Sequence, residues 1–358
     1  MSGAGNDFVV IDDRSERIAD PPALARLVSV RRLSVGSDGL ILIRNSEKAS
    51  FRMLYLNADG SVGDFCANGT RCAARFARVR SIAPAEMTIE TGHAIVGATV
   101  DGGEVTLSIP PPEECVLDKP LRLEDGSVVH GAYLMVGVPH YVIFEGKDLW
   151  GMDINPLGRE IRRHPDLPHG ANVNFVSASG GGNNLSVRTW ERGVEGETLA
   201  CGSGVVASSA ASLLTGRASA PVAVLTRSGI TLRVEMRRSG ETAVDDVRLT
   251  GDARVVYEGT MTPETLEGFD PEWIHKSQKP EARIEASQKP EARSQKKGQR
   301  QHPERAGQWL LRLPLPLIFL LASGFHLLTS PFLLAAGFWL LVFLAPRPSP
   351  LDPLHYDQ

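Results

Sequence analysis

Cys66 and Cys201 are the residues of this chain best placed to do chemistry. Each opens an apparent helix through a glycine-containing turn: Phe65-Cys66-Ala67-Asn68-Gly69-Thr70-Arg71-Cys72 in one half and Thr198-Leu199-Ala200-Cys201-Gly202-Ser203-Gly204 in the other. A thiol at a helix N-terminus meets the positive end of the helix dipole and several unpaired N–H groups, which favour its thiolate. Two such thiols, one from each half, could face one substrate carbon from opposite sides. That is the equipment for inverting a stereocentre.

The elements that position these cysteines follow from composition and pattern. A length of 358 residues suggests about two domains, and 42% hydrophobic content is enough for real cores. The net charge of -4 makes no demand for a nucleic-acid partner. Four cysteines without a Cys-x-x-Cys pair or zinc-ligand spacing are free thiols rather than a disulfide scaffold, and no metal site is expected. The first residues lack the basic start and apolar core of a secretory signal, so a reducing cytoplasm is the expected compartment.

Short Val- and Ile-rich runs bounded by Gly, Pro, Asn or Asp predict strands at 9–11, 53–56, 94–100 and 105–109. A second set is predicted at 132–136, 141–144, 173–176, 185–189, 230–236 and 254–257. Helices are predicted at 70–78, rich in Ala and Arg, and at 205–214, almost wholly small or apolar with Gly216 as C-terminal cap. A helix apolar on every side belongs in a core. The expected fold is α/β (α+β): two similar domains, each a mixed sheet wrapped around a central helix, with the active site in the cleft between them. Pro110-Pro111-Pro112 marks the boundary. Residues 1–112, completed by about 252–274, form the first domain, and 113–251 the second.

The remainder is different material. Ser-Gln-Lys-Pro-Glu-Ala-Arg occurs at 277–283 and again at 287–293, so 275–308 reads as a disordered linker. From Leu313 to Ala345 there is no Asp, Glu, Lys or Arg, a run longer than the ~20 apolar residues that span a bilayer. Pro331 divides it into two short segments. Two readings of 309–346 stand: a membrane anchor or re-entrant hairpin, with the positive flank on the cytoplasmic side, or a translation artefact such as a frameshift. Residues 347–358 are a short tail.

Six ordered blocks carry a family resemblance. They are Gly3-Ala4-Gly5-Asn6-Asp7-Phe8, Val35-Gly36-Ser37-Asp38-Gly39-Leu40, the run from Asn57 to Cys72, Gly137-Val138-Pro139-His140, Ala171-Asn172-Val173-Asn174-Phe175, and the run from Glu191 to Gly204. Over about 1–274 the chain resembles diaminopimelate epimerase, a cofactor-independent two-cysteine enzyme of lysine and cell-wall precursor synthesis. The resemblance implies interconversion of L,L- and meso-diaminopimelate, with Cys66 and Cys201 exchanging acid and base roles. It also implies that Asn6, Asn57, Asn172, Glu191 and Arg192 bind the substrate's ammonium and carboxylate groups. Backbone N–H groups around Ala67, Asn68, Gly202 and Ser203 would receive a carboxylate, and His140, like Glu191, would poise the cysteines.

Three positions depart from the family. Val138 stands where Asn helps hold the distal end of the substrate, Ala67 stands where glycine follows the first cysteine, and a short strand usually precedes the Gly-Asn-Asp-Phe loop. Either the true start lies upstream or an edge is left open. Cys72 and Cys115 read as core residues, and His93, His130, His164 and His169 as solvent-facing. Gly180-Gly181-Gly182 reads as a turn lacking the Lys-Ser or Lys-Thr of a phosphate loop. Val138 keeps open a second enzymatic reading, racemisation or epimerisation of another amino acid such as proline or hydroxyproline. A membrane-associated binding protein with a vestigial enzyme domain is the reading from another class. Expected partners are a small amino-acid substrate and a second copy in a homodimer.

Overall fold

The computed structural model describes residues 1–63, 65–146, 149–178 and 182–267. The expected linker at 275–308, the hydrophobic stretch at 309–346, the tail at 347–358 and Gly180-Gly181 lie outside the described residues. No helix among the described residues is long and apolar enough to cross a membrane.

The first half runs β1 (Ser2–Gly3), β2 (Asn6–Asp12), α1 (Pro21–Val28), β3 (Gly39–Arg44), β4 (Phe51–Asn57), β5 (Val62–Gly63), α2 (Ala67–Val79), β6 (Glu86–Glu90), β7 (Ile95–Asp101) and β8 (Glu104–Ser108). The second runs β9 (Glu113–Arg122), β10 (Val128–Val136), β11 (Val138–Phe144), α3 (Asn155–Arg162), β12 (Asn172–Ala178), β13 (Asn184–Glu191), β14 (Gly196–Thr198), α4 (Gly202–Leu214), β15 (Val222–Leu225), β16 (Thr231–Arg238) and β17 (Val244–Asp252). Pro110-Pro111-Pro112 lies in the connection between the halves, after β8 and before β9.

Strand pairing repeats from half to half. β2 pairs parallel with β3 as β11 does with β12. β3 is antiparallel to β4 as β12 is to β13, and each of β4 and β13 carries a short antiparallel return, β5 or β14. β4 then pairs parallel with β6 as β13 does with β15. Antiparallel runs β6-β7-β8 and β15-β16-β17 follow, and β8 joins β17 to make one sheet order of both halves. Beyond the two turns this repetition has little trace in sequence. It resides in pairing.

β3 shows how side-chain alternation builds the layers. Leu40 and Leu42 point to the cluster with Ala25 and Val28 of α1, whereas Ile41 and Ile43 point to the cluster containing Ala73, Ala74 and Ala77 of α2. In the second half Val173 and Phe175 face the cluster with Ile161 of α3. The inner helix α4 is buried along almost its whole length, as its small apolar composition requires.

Both inner helices end in the same way. Gly216 is left-handed at φ 71°, with Gly216 N–H bonded to Leu213 O and Arg217 N–H to Ser212 O. Ser81 takes the equivalent place after α2 at φ 54°, with its N–H on Arg78 O and Ile82 N–H on Ala77 O.

Several expectations need correction. Residues 254–257 form no strand: Arg254 makes a single bridge to Ser2, and Val256 and Tyr257 are exposed, with no strand pairing them among the described residues. A strand does precede the Gly-Asn-Asp-Phe loop, the two-residue β1 paired antiparallel with β2. Cys72 is fully buried, but Cys115 is only partly so, on β9, which among the described residues pairs with β10 alone. His164 is buried, with Nε2 against Arg122 O at 2.9 Å; that bond removes the cost of burying the ring. His93, His130 and His169 are exposed as expected.

Candidate active site at the abutting helix starts

Cys66 and Cys201 are the N-caps of α2 and α4, both in extended conformation and both followed by a 13-residue helix. In each the sulfur takes the place of a capping oxygen: Gly69 N–H donates to Cys66 Sγ at 3.5 Å and Gly204 N–H to Cys201 Sγ at 3.4 Å. Ser203 Oγ lies 3.5 Å from Cys201 Sγ.

The two helix starts abut. A Cβ added to Gly202 would stand 2.6 Å from the Ala67 Cβ, so the first helical residue of each helix packs on the other. Asn68 fastens the junction, its amide donating to Ala200 O at 3.0 Å and to Asn6 Oδ1 at 3.1 Å. Gly204 cannot carry a side chain either, because a Cβ there would run into Asn174 Oδ1.

Burial governs the protonation of the sulfurs. Cys66 is pushed up to about 11, chiefly by burial; the Gly69 N–H opposes this, Glu191 adds to it, and Arg71 and Asn68 oppose it. Cys201 is also held well above the ordinary thiol range by burial and by the charge of Glu191, against Ser203 and Gly204. A helix dipole contributes roughly 0.3–1 kcal/mol at a terminus, and desolvation outweighs it here. Contrary to the expectation from the turns alone, both cysteines rest as thiols at neutral pH in the substrate-free protein.

Glu191 stands between them electrically, acting on both sulfurs and hydrogen-bonding Cys201. Burial raises its own carboxyl, opposed by the Thr198 hydroxyl at 2.9 Å and by Cys201, while Asp38 raises it further. His140 is fully buried and held down to about 3 by burial and by the charge of Arg192. Asn174 Nδ2 points at the carbonyls of Tyr141 and Asn172 as well as at His140 Nδ1, which identifies it as the nitrogen. His140 is therefore a neutral ring with its proton on Nε2, an atom with no partner among the described residues.

The other expected residues fall into linked groups. Asn6 donates to Asp38 Oδ2 at 2.6 Å while receiving Asn68. Asn172 Oδ1 accepts the Arg192 N–H at 2.7 Å, and the Arg192 guanidinium holds His169 O at 2.9 Å. Asn57 is tied to its own hairpin by the Tyr55 hydroxyl at 2.8 Å and by Ser61 at 2.9 Å. Burial pushes the Tyr55 hydroxyl well above its ordinary value.

Sequence reasoning passed over Arg71, Asn174, Tyr55 and Asp38, although all but Tyr55 lie inside the quoted blocks. For Asn174, flanked by Val173 and Phe175, a polar type in an apolar run was the available signal. Among the described residues no group of three or more His, Cys, Asp or Glu is placed to hold a metal ion.

Known proteins share both the sequence and the fold. The family described as Diaminopimelate epimerase matches residues 1–110 and 132–256. The diaminopimelate epimerase of Aquifex aeolicus (strain VF5) is 40% identical over 281 residues, covering 75% of this chain and 98% of that protein. That of Chlorobaculum tepidum is 41% identical over 271 residues, covering 73% and 100%. Among solved structures, a phenazine biosynthesis protein of the PhzF family from Bacillus anthracis has TM-score 0.52 at 14% identity, covering 70% of this chain and 92% of that one. A probable proline racemase from Agrobacterium radiobacter K84 has TM-score 0.51 at 16% identity, covering 76% and 96%. The structural likenesses speak for fold alone. With the family match spread across both cysteine-bearing halves, the chain belongs to the diaminopimelate epimerase family.

Proposed function

We propose that this protein is an isomerase that interconverts L,L- and meso-diaminopimelate, with Cys66 and Cys201 as its acid–base pair. The observation that carries the reading is the abutment of two cysteine-capped helices, each supplied by the matching step of one half. An α-proton flanked by an ammonium and a carboxylate is far less acidic than a thiol, so the site must stabilise charge developing on the carboxylate. The first N–H groups of α2 and α4, at Ala67, Asn68, Gly202 and Ser203, supply aligned dipoles for that charge.

Glu191 and the amides of Asn6, Asn57 and Asn172 suit the ammonium groups, and the Arg192 guanidinium suits a carboxylate. Entry of a cationic ammonium beside Glu191 offsets the charge that disfavours thiolate. One thiol first releases its proton to water, and the resulting thiolate takes the substrate's α-proton while the other thiol delivers its proton to the opposite face. After that one proton has left to water, each turnover starts and ends with one thiol and one thiolate, and the roles exchange when the direction reverses. Neutral His140 has an Nε2–H to donate within the site and no charge to add.

The same reading makes the enzyme independent of a pyridoxal cofactor, cytoplasmic and homodimeric, with residues 313–345 as its candidate membrane contact. Val138 supports a second substrate reading, proline or hydroxyproline, because it presents no polar group to a distal amino-acid end.

The experiment uses the whole chain under reductant with L,L-diaminopimelate in deuterated water, following α-hydrogen exchange and meso product by NMR. Exchange with meso product in the wild type, and no net epimerisation in Cys66→Ala or Cys201→Ala, is the expected result. Turnover of proline or hydroxyproline without diaminopimelate turnover would move the assignment to the second substrate class.

A further inference from the structure

We propose that Arg71 is a positioning residue for the cysteine pair: it clamps the start of the Cys66 helix to the turn that carries Cys201 and holds its guanidinium against the first two residues of that helix. The proposal rests on the reading of Cys66 and Cys201 as the acid–base pair.

Arg71 is completely buried, yet no ion pair to it exists among the described residues. Its guanidinium donates to Asn68 Oδ1 at 2.8 Å, Asp252 O at 3.2 Å and Ala67 O at 3.5 Å. Ala67 and Asn68 are the first two residues of α2, and Asp252 ends β17 of the other half. The Asp252 carboxylate is turned elsewhere, to Ala4 N–H and Arg254. A Cβ on Gly251 would run first into the Leu232 side chain and would stand 3.1 Å from the Arg71 Nε, so the glycine lets both side chains pack there.

The clamp works through the orientation of one amide. Arginine has donors only, so it fixes Asn68 Oδ1 towards itself and turns Asn68 Nδ2 outward. That nitrogen then reaches Ala200 O, the carbonyl just before Cys201, and Asn6 Oδ1. One guanidinium thus ties α2, β17, the Cys201 turn and the Asn6 loop together, and these elements set where the sulfurs stand.

A purely structural arginine is the competing explanation, and the partners argue against it. Burying a guanidinium against neutral acceptors costs free energy that an apolar side chain of similar volume would not. The charge has a use in this place: it lowers the Cys66 thiol against the opposing effect of burial.

Site-resolved alkylation of the whole chain by iodoacetamide across pH, read by mass spectrometry, separates charge from packing. Thiolate is the reacting species, so Arg71→Met is expected to alkylate about tenfold more slowly at Cys66 at a fixed pH, with Cys201 within about twofold of wild type. Arg71→Lys restores the charge, so its Cys66 rate returns to within about twofold of wild type, while kcat falls about tenfold at nearly unchanged KM because one ammonium cannot hold a planar fork's acceptors. Folded Arg71→Met with an unchanged Cys66 rate, or with both cysteines slowed alike, overturns the proposal. Where circular dichroism shows Arg71→Met unfolded, Arg71→Lys decides: both cysteines slowed alike, or an unchanged kcat, overturns it. Alkylation reads thiolate without turnover, so a wild type that fails to epimerise diaminopimelate defeats the functional reading while leaving the charge relation measurable.

Discussion

Ala67 and Gly202 meet back to back at the starts of the two inner helices, with room for one methyl between them. Gly202→Ala is expected to force the helix starts apart, at a cost of about 1–3 kcal/mol in stability and a loss of ~100-fold or more in kcat/KM from misplaced sulfurs. Moving the methyl instead of adding one should repair the damage. The other atoms near a Gly202 Cβ, from Leu249 and Asn68, lie at ordinary distances of 3.5 and 3.6 Å. The Ala67→Gly/Gly202→Ala double variant should therefore recover most of the lost activity and melting temperature. A double variant no better than Gly202→Ala alone would mean that the junction is not where the damage arises.

Thiols held above their ordinary values make a stability prediction with a definite sign. Cys66 moves from an ordinary value of 9.0 to about 11 on folding, and Cys201 moves in the same direction. Below pH 9 the thiols are protonated in both states and their contribution is fully present. Between pH 9 and 11 the unfolded chain releases protons that the folded chain keeps, so stability falls as pH rises. Melting curves of wild type and of Cys66→Ala/Cys201→Ala should diverge over this window, the variant losing less. Some alkaline loss remains in the variant, because burial also holds Cys72 at about 12.

Glu191 acts on the sulfurs in the opposite sense to Arg71. Its charge raises both Cys66 and Cys201, so Glu191→Gln should make both thiols more acidic and speed alkylation of both by roughly 3–10-fold at a fixed pH. Epimerisation should nevertheless fall roughly 10–100-fold, because a charged hydrogen bond to the substrate ammonium is lost. Faster alkylation with slower turnover is the signature to seek; slower alkylation at either cysteine would contradict the electrostatic role assigned to Glu191.

The sequence announced some of this arrangement and hid the rest for physical reasons. Cys66, Cys201, Gly216 and the small residues of α4 act locally, through caps and close packing, and their roles could be read from neighbours in sequence. β3 is covered on both faces, so Leu40 to Ile43 form an unbroken apolar run with no strand period to detect. β9 and β17 alternate with charged residues such as Glu113, Lys119, Asp245 and Arg248, and read as loops until their partners are known. The protonation of Cys66 depends on desolvation by distant segments, which no local motif encodes. Arg71, in an Ala- and Arg-rich helix, resembled a surface residue; its acceptor on Asp252 lies 181 positions away.

Val138 opens β11 as Asn6 opens β2, each two residues before the first parallel pair, His140 with Asn172 and Phe8 with Gly39. The repeat therefore puts a valine where the first half has an amide engaged with Asp38 and Asn68. If the distal amino-acid end of diaminopimelate approaches this strand, Val138→Asn should add one neutral hydrogen bond and lower KM by about 2–10-fold with little change in kcat. Alkylation of Cys66 and Cys201 should not change, since no charge is added. A substrate panel gives the measurement its power: improvement for diaminopimelate together with none for proline, which has no distal end, places Val138 at the second amino-acid group. Equal improvement for both would place it at the reacting centre, and no change for either would remove it from the substrate's path.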